Sequence, residues 1–339
     1  MHKPVMIVGE AYGEQEAQQG EAFVGPSGGL LKSILNQAGV SLRDCYLTNV
    51  FNERPPGNNV AHFYTRDRAA AISGFPPIEK GRWVDRKHEA HLARLAEELH
   101  AVRPNVILAL GNTALWALAH RVGIKKYRGT PMLTKSGGFK LIPSWHPAAV
   151  LRQYNLKVVL AADCQKLARH MHFPELATPS RKLYLDPTIE ELEDYAERKL
   201  YPAARLSCDV ETIPSARQIT EVGFAISPYE AIVIPFWVEG TGMARSYWTD
   251  PAHEVRAWNV VRRCVETVPT FGQNFQYDMQ FFYRQLGIQT LRFSGDTMVM
   301  HHAMQPELEK SLGFLASIYT DQPAWKFMRS ISKVESRKE

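Results

Sequence analysis

Ile7-Val-Gly-Glu-Ala-Tyr-Gly13 decides the reading of the first half of this chain, with Phe23-Val-Gly-Pro-Ser-Gly-Gly29 just after it and Ser144-Trp-His-Pro-Ala148 far downstream. The apolar run from Val5 to Val8 reads as a strand, and Gly9 and Gly13 flank a turn that carries the Glu10 carboxylate. A Gly-rich segment then opens a helix near Leu30. Glu10, Phe23 and several backbone N–H groups therefore gather at the mouth of an α/β sheet, where ligands sit. His146 follows a second apolar strand, Lys140-Leu-Ile-Pro143, so an acid, a stacking ring and an imidazole can converge on one pocket.

The chain has 339 residues, enough for two domains that each bury a core. Hydrophobic residues make up 45% and charged residues 22%, the balance of a globular protein. The net charge of +5 permits a nucleic-acid partner without demanding one. No apolar run approaches the roughly 18 residues of a membrane span, and no signal peptide is evident, so a cytoplasmic protein without a membrane partner is expected. Cys45, Cys164, Cys208 and Cys264 are scattered with no CxxC spacing, which argues against a disulfide or metal framework.

Strand-like and helix-like segments alternate through the first half: strand Cys45–Val50, helix Glu89–Ala101, strand Val106–Leu110, and a helix from Gly111. Residues 60–87 are polar and irregular. The alternation predicts a mainly parallel sheet with helices on both faces, a three-layer α/β/α domain over residues 1–172. A Pro-containing linker follows at 173–182. The second half restarts with a helix, Ile189–Lys199, and adjacent strands at Arg205–Val210, Gln218–Ile226 and Ala231–Pro235, predicting a mixed α/β domain over 183–325 with a polar tail at 326–339.

Gly9-Glu-Ala-Tyr-Gly13, Gly20-Glu-Ala-Phe-Val-Gly-Pro-Ser-Gly-Gly29, Tyr46-Leu-Thr-Asn49, Arg54-Pro-Pro-Gly57, Leu110-Gly111, Arg128-Gly129 and His146-Pro-Ala-Ala-Val-Leu-Arg152 occur in this order. In that order they resemble the uracil-DNA glycosylase superfamily, closest to its family 4. The resemblance implies a pocket that takes a nucleotide flipped from DNA and breaks its C1′–N1 bond. Phe23 would stack on the base, with Ala11 and Tyr12 beside it. Asn49 would read the base edge with its amide. His146 would donate to O2 as negative charge develops there, and Glu10 would position water and favour the cationic sugar. Val150 or Leu151 would fill the vacated stack, with Arg152 near phosphates. None of this chemistry needs a metal.

Departures from the pattern accompany the matches. The family has a proline where Tyr12 stands and usually an acid where Ala17 follows Glu16. Family 4 members bind a four-iron cluster through four cysteines. Here Glu53 stands near the third cysteine position and no cysteine lies near His91, where the fourth belongs, so no iron–sulfur cluster is predicted.

In the second half, Leu206-Ser-Cys-Asp-Val-Glu-Thr212 sets Asp209 and Glu211 on one face of a strand, a pair suited to a divalent ion. With Phe271-Gly-Gln-Asn-Phe-Gln-Tyr-Asp278, Gly295-Asp-Thr-Met298 and Ser311-Leu-Gly-Phe-Leu-Ala316, it resembles the ribonuclease H-like 3′→5′ proofreading exonuclease domain of family A DNA polymerases. By that resemblance Asp209, Glu211 and Asp278 are metal ligands, Asn274 and Asp296 belong to the same motifs, and Mg²⁺ or Mn²⁺ is the cofactor. The chain ends at Glu339, before the family's third motif, so the domain is expected to be C-terminally incomplete. The whole order is similar to the N-terminal region of certain phage polymerases, which implies DNA as partner, a polymerase polypeptide able to complete the exonuclease, and a host cytoplasm. A non-catalytic DNA-binding or polymerase-accessory module, or a truncated polymerase fragment, is the alternative reading.

Overall fold

The structure, a computed structural model, describes residues 2–213, 218–239 and 244–324. The expected polar tail, 326–339, lies outside the described residues. The chain divides into two compact units, one running to Ala177 and resuming at Gly313, the other spanning Thr178–Leu312.

The first unit runs β1 (Val5–Ala11), α1 (Glu14–Gln19), α2 (Pro26–Gln37), β2 (Cys45–Phe51), the short strands β3 (Tyr64–Thr65) and β4 (Trp83–Val84), and α3 (Glu89–Val102). It continues through β5 (Val106–Leu110), α4 (Gly111–Ala119), α5 (Ile124–Tyr127), β6 (Met132–Leu133), β7 (Lys140–Ser144), α6 (Pro147–Arg152) and α7 (Leu156–His170). The main sheet has the order β2-β1-β5-β7-β6; its first four strands are parallel and β6 is antiparallel.

Alternation along β1 explains the three layers. Val5 and Ile7 enter one core with Leu31 and Leu35 of α2 and Leu160 and Leu167 of α7. Met6 and Val8 enter the other with Leu95 and Leu99 of α3 and Leu115 and Trp116 of α4. A strand buried on both faces reads as an uninterrupted apolar run, which is what Val5–Val8 is. The parallel strands direct their carboxyl ends to one edge; Glu10 and Asn49 lie within the last three residues of β1 and β2, and His146 stands two residues past β7.

The second unit contains β8 (Lys182–Tyr184), α8 (Ile189–Tyr195), β9 (Leu206–Ile213), β10 (Gln218–Ser227), β11 (Glu230–Pro235), β12 (Trp237–Glu239), β13 (Ala244–Ser246) and α9 (Pro251–Thr267). It then carries β14 (Thr270–Gly272), α10 (Gln276–Leu286), β15 (Phe293–Asp296) and α11 (Thr297–Met304). Its sheet order is β15-β14-β9-β10-β11-β8, with β10 antiparallel to both β9 and β11 and β14 parallel to β9 and β15. An antiparallel core of β9, β10 and β11, with parallel β14 and β15 beside β9 and parallel β8 beside β11, makes the mixed sheet expected of this half.

The helix α12 (Leu312–Tyr319), the last among the described residues, which the sequence reading assigns to the second domain, contributes all but its first residue to the first unit. Buried charges hold it there. Lys166 Nζ donates to the carbonyls of Gly129 at 2.6 Å, Ser317 at 2.9 Å and Thr320 at 2.5 Å. Arg128 donates to Asp163 at 2.9 Å and to the Ser317 hydroxyl. The carbonyls at a helix C-terminus lack intrahelical donors, and a buried ammonium answers them.

Candidate active site

At the carboxyl edge of the first sheet, Gly9 forms the floor of the pocket. A Cβ built there would lie 2.2 Å from Asn49 Oδ1 and 2.7 Å from Phe23 Cζ, so only glycine lets the amide and the ring approach the backbone of β1. Phe23 itself has a positive φ of 60°, a region costly for an aromatic residue. The carboxylate of Glu16 compensates by accepting from the N–H groups of Phe23, at 2.9 Å, and of Gly13. Gly28 permits the tight turn, since a Cβ there would overlap the Phe23 carbonyl at 1.9 Å.

Asn49 is 2% exposed, yet its Nδ2 has no protein partner. Arg94 on α3 fixes its backbone from behind, donating to the carbonyls of Asn49 at 2.7 Å and Val50 at 2.9 Å. An amide so held with an unanswered donor is arranged to meet a ligand acceptor.

His146 is the N-cap of α6, and its Nδ1 accepts from the Ala148 N–H at 3.2 Å. Burial, reinforced by the charge of Arg152, pushes the imidazole down to about 4. The ring is therefore neutral at physiological pH and carries its proton on Nε2. Its centroid lies 6.5 Å from that of Phe23. Glu10 is held above the usual carboxylate range by burial, while the Thr113 hydroxyl, which donates to Oε1, pulls it back down. Burial and the nearby Glu10 carboxylate push the Tyr64 phenol up.

Glu10, Phe23, Asn49 and His146 thus stand at one edge, with Ala11 and Tyr12 at the end of β1; the Tyr12 N–H donates to the Glu53 carbonyl at 3.2 Å. The expectation for Val150 requires correction. It is fully buried in the core under α6 and has no surface with which to contact DNA, whereas Leu151 is 50% exposed and Arg152 is exposed. Sequence reasoning missed Thr113, Glu16 and Tyr64. The Gly13-x-x-Glu16 spacing at the start of α1 was a legible signal for the second; Thr113 and Tyr64 arrive only through tertiary packing.

The donor set of the first unit does not fit a four-thiolate iron cluster. Its two cysteines, Cys45 and Cys164, are buried in the apolar core, where burial pushes the Cys45 thiol up to about 12. Glu53 and His91, at the two expected ligand positions, face each other at 3.3 Å.

In the second unit, Asp209 and Glu211 lie on β9, and Asp278 on α10 accepts from the Val210 N–H between them at 2.8 Å. Burial, with a contribution from Asp209, raises Asp278 to about 7. Asp296 caps α11 through the Met298 N–H at 2.8 Å and also accepts from the N–H groups of Asn274 and Phe275 at 3.0 and 2.7 Å. Asn274 adopts a positive φ of 56° at that bond. The oxygen donors suit Mg²⁺ chemically. Among the described residues, however, only Glu53, His88 and His91 bring three ligand atoms within 4.8 Å of one another. Asp209, Glu211 and Asp278 do not come together within that spacing.

The family model described as "Uracil DNA glycosylase superfamily" matches residues 1–168. A type-4 uracil-DNA glycosylase of Thermotoga maritima is 33% identical over 166 residues, covering 48% of this chain and 74% of that protein. Counterparts from Archaeoglobus fulgidus (32% identical; 48% and 74% covered) and Saccharolobus solfataricus (29%; 48% and 69%) match similarly. Through its N-terminal half the chain belongs to the uracil-DNA glycosylase superfamily and is a hydrolase of the glycosylase class. The EXO domain of Aedes aegypti Nibbler covers 45% of this chain and 77% of that one at 12% identity and a TM-score of 0.33, a likeness too low to carry an argument. No helix among the described residues is long and apolar enough to cross a membrane.

Proposed function

We propose that the first unit flips uracil, or a closely related base, out of DNA and hydrolyses its glycosidic bond. The observation that carries this reading is the unanswered Nδ2 of the buried Asn49, set beside Phe23 over Gly9. Phe23 stacks on the base and Asn49 meets its O4/N3 edge. The Nε2–H of His146 donates to O2, a bond that strengthens as the departing base becomes anionic. Glu10 positions the attacking water and stabilises the cationic sugar, with Thr113 orienting the carboxylate. Leu151 takes the wedge position and Arg152 meets phosphate. The protein's own groups supply these roles without a catalytic metal.

Incubation with a uracil-containing single-stranded oligonucleotide, with no divalent metal added, tests this reading. Abasic sites that His146→Ala and Asn49→Ala strongly diminish are expected. Salt-dependent DNA binding with no base release would make the first unit a recognition module instead.

For the second unit we propose a role on DNA ends, with Asp209, Glu211 and Asp278 as ligands for Mg²⁺ or Mn²⁺, within a protein organised like the N-terminal region of a phage-type polymerase. The strand order and the placement of Asp278 against β9 support it. Metal-dependent shortening of a 3′-labelled strand, abolished by Asp209→Ala, is the expected result; an intact label counts against it.

A further inference from the structure

The cluster of Glu53, His88 and His91 serves no role in the glycosylase chemistry, and its arrangement is unusual for a surface ion pair. Glu53 stands on the segment leaving β2, His88 is the N-cap of α3, and His91 lies in that helix's first turn. One ligand-type atom from each lies within 4.8 Å of the other two. The closest pair, His91 Nε2 and Glu53 Oε2, is separated by 3.3 Å. Donors held about 2.0–2.1 Å from a tetrahedral ion stand about 3.3 Å apart, so this edge already has the spacing of a coordination polyhedron.

A second observation is independent of the cluster's composition. His88 is 7% exposed, and its Nε2 has no hydrogen-bond partner. A buried ring nitrogen without a partner is costly unless something meets it. Aromatic packing fixes the rings: Phe63 meets His88 edge-on at 5.0 Å, and Phe51 meets His91 edge-on at 5.6 Å. Phe51 and Phe63 stack on each other at 3.9 Å. The side chains of His91 and Glu53 retain 21% and 44% exposure, which leaves an entrance from solvent.

We propose that Glu53, His88 and His91 bind one divalent ion that accepts imidazole and carboxylate together, zinc being the natural fit. Two imidazoles and a carboxylate are borderline donors, favouring zinc over magnesium or calcium. The exposed ring of His62, 5.5 Å from that of His88, or a water completes the shell. The ion ties the start of the long excursion after β2 to the start of α3, closing the intervening loop. Because the Glu53 carbonyl accepts from the Tyr12 N–H, the clamp also steadies the lip of the pocket.

The test uses the full chain stripped with chelator and then dialysed against zinc, with metal content and thermal midpoint as readouts. One equivalent of retained zinc and a raised midpoint are expected. Substitution by Co²⁺ should give visible d–d bands. Glu53→Ala and His91→Ala, both at partly exposed positions that leave the fold intact by circular dichroism, should each weaken retention at least about tenfold. No stoichiometric uptake overturns the proposal, and so does uptake that these variants leave unchanged, since other histidines would then be the ligands.

Discussion

The Ala148 N–H donates to Nδ1 of His146 at 3.2 Å, and this one bond decides which edge of the ring faces the pocket as a donor. A backbone N–H can be accepted only by an unprotonated nitrogen, so the proton of the neutral ring resides on Nε2. The same contact that starts α6 therefore sets the tautomer needed at the developing oxyanion.

Base release should persist well below the ordinary titration of histidine, because His146 takes up its proton only near about 4. Between about 6.5 and that value the unfolded chain binds the proton first, so this group makes stability fall as pH falls. His146→Ala should remove that slope and lower kcat/KM by about 10²–10³. A pH–rate profile and urea titrations at pH 7 and 5 check both expectations.

Thr113→Val removes the hydroxyl that favours the ionised form of Glu10. Burial is then less opposed, the carboxyl moves further up, and the acid limb of the pH–kcat/KM profile should shift to higher pH. A profile that keeps its position would mean that Glu10 does not titrate in the reaction.

Gly9→Ala drives a methyl group into Asn49 Oδ1 and the tip of Phe23. Overpacking of this kind costs about 1–3 kcal/mol, and the displaced amide and ring should lower kcat/KM by at least about tenfold. Denaturant midpoints and steady-state kinetics on the same preparation separate the two effects.

Lys166→Met keeps the apolar stem but leaves the Gly129, Ser317 and Thr320 carbonyls without their donor. A loss of about 2–4 kcal/mol is expected, read from urea unfolding. Truncation after Ala177 should be worse, because Arg128 also loses the Ser317 hydroxyl.

Asp278 ionises only near about 7, so it binds its proton in the folded state before the unfolded chain does, and this group makes stability fall as pH rises through that window. Asp278→Asn can still accept from the Val210 N–H and should flatten the slope. Unfolding free energies at pH 5 and 8 for the two proteins provide the comparison.

The sheet edge that carries the pocket was legible because β1 is buried on both faces and ends in glycine-flanked polar residues. An apolar run that stops abruptly at Gly9-Glu10 announces both strand and mouth. Thr113 and Tyr64 were not legible, because they meet Glu10 only after α4 and the segment at β3 have folded over the strand ends. Val150 misled for a related reason. In Ala148-Ala-Val-Leu-Arg152 two adjacent apolar residues compete for the exposed face, and only packing under α6 assigns the core to Val150 and the solvent to Leu151. The helix around Phe314 reads as part of the second domain in sequence order, and nothing local to it discloses that its partners are Arg128 and Lys166.

That last pairing has a consequence for biosynthesis. Ser317 follows Lys166 by 151 residues, so on the ribosome Arg128 and Lys166 emerge with Asp163 and the Gly129 carbonyl but without their partners on α12 until the intervening unit has been translated. The first unit's maturation cannot be completed in the order in which it is made. A message that stops within the second unit yields a first unit with an open seam, and quality control would meet it before DNA does.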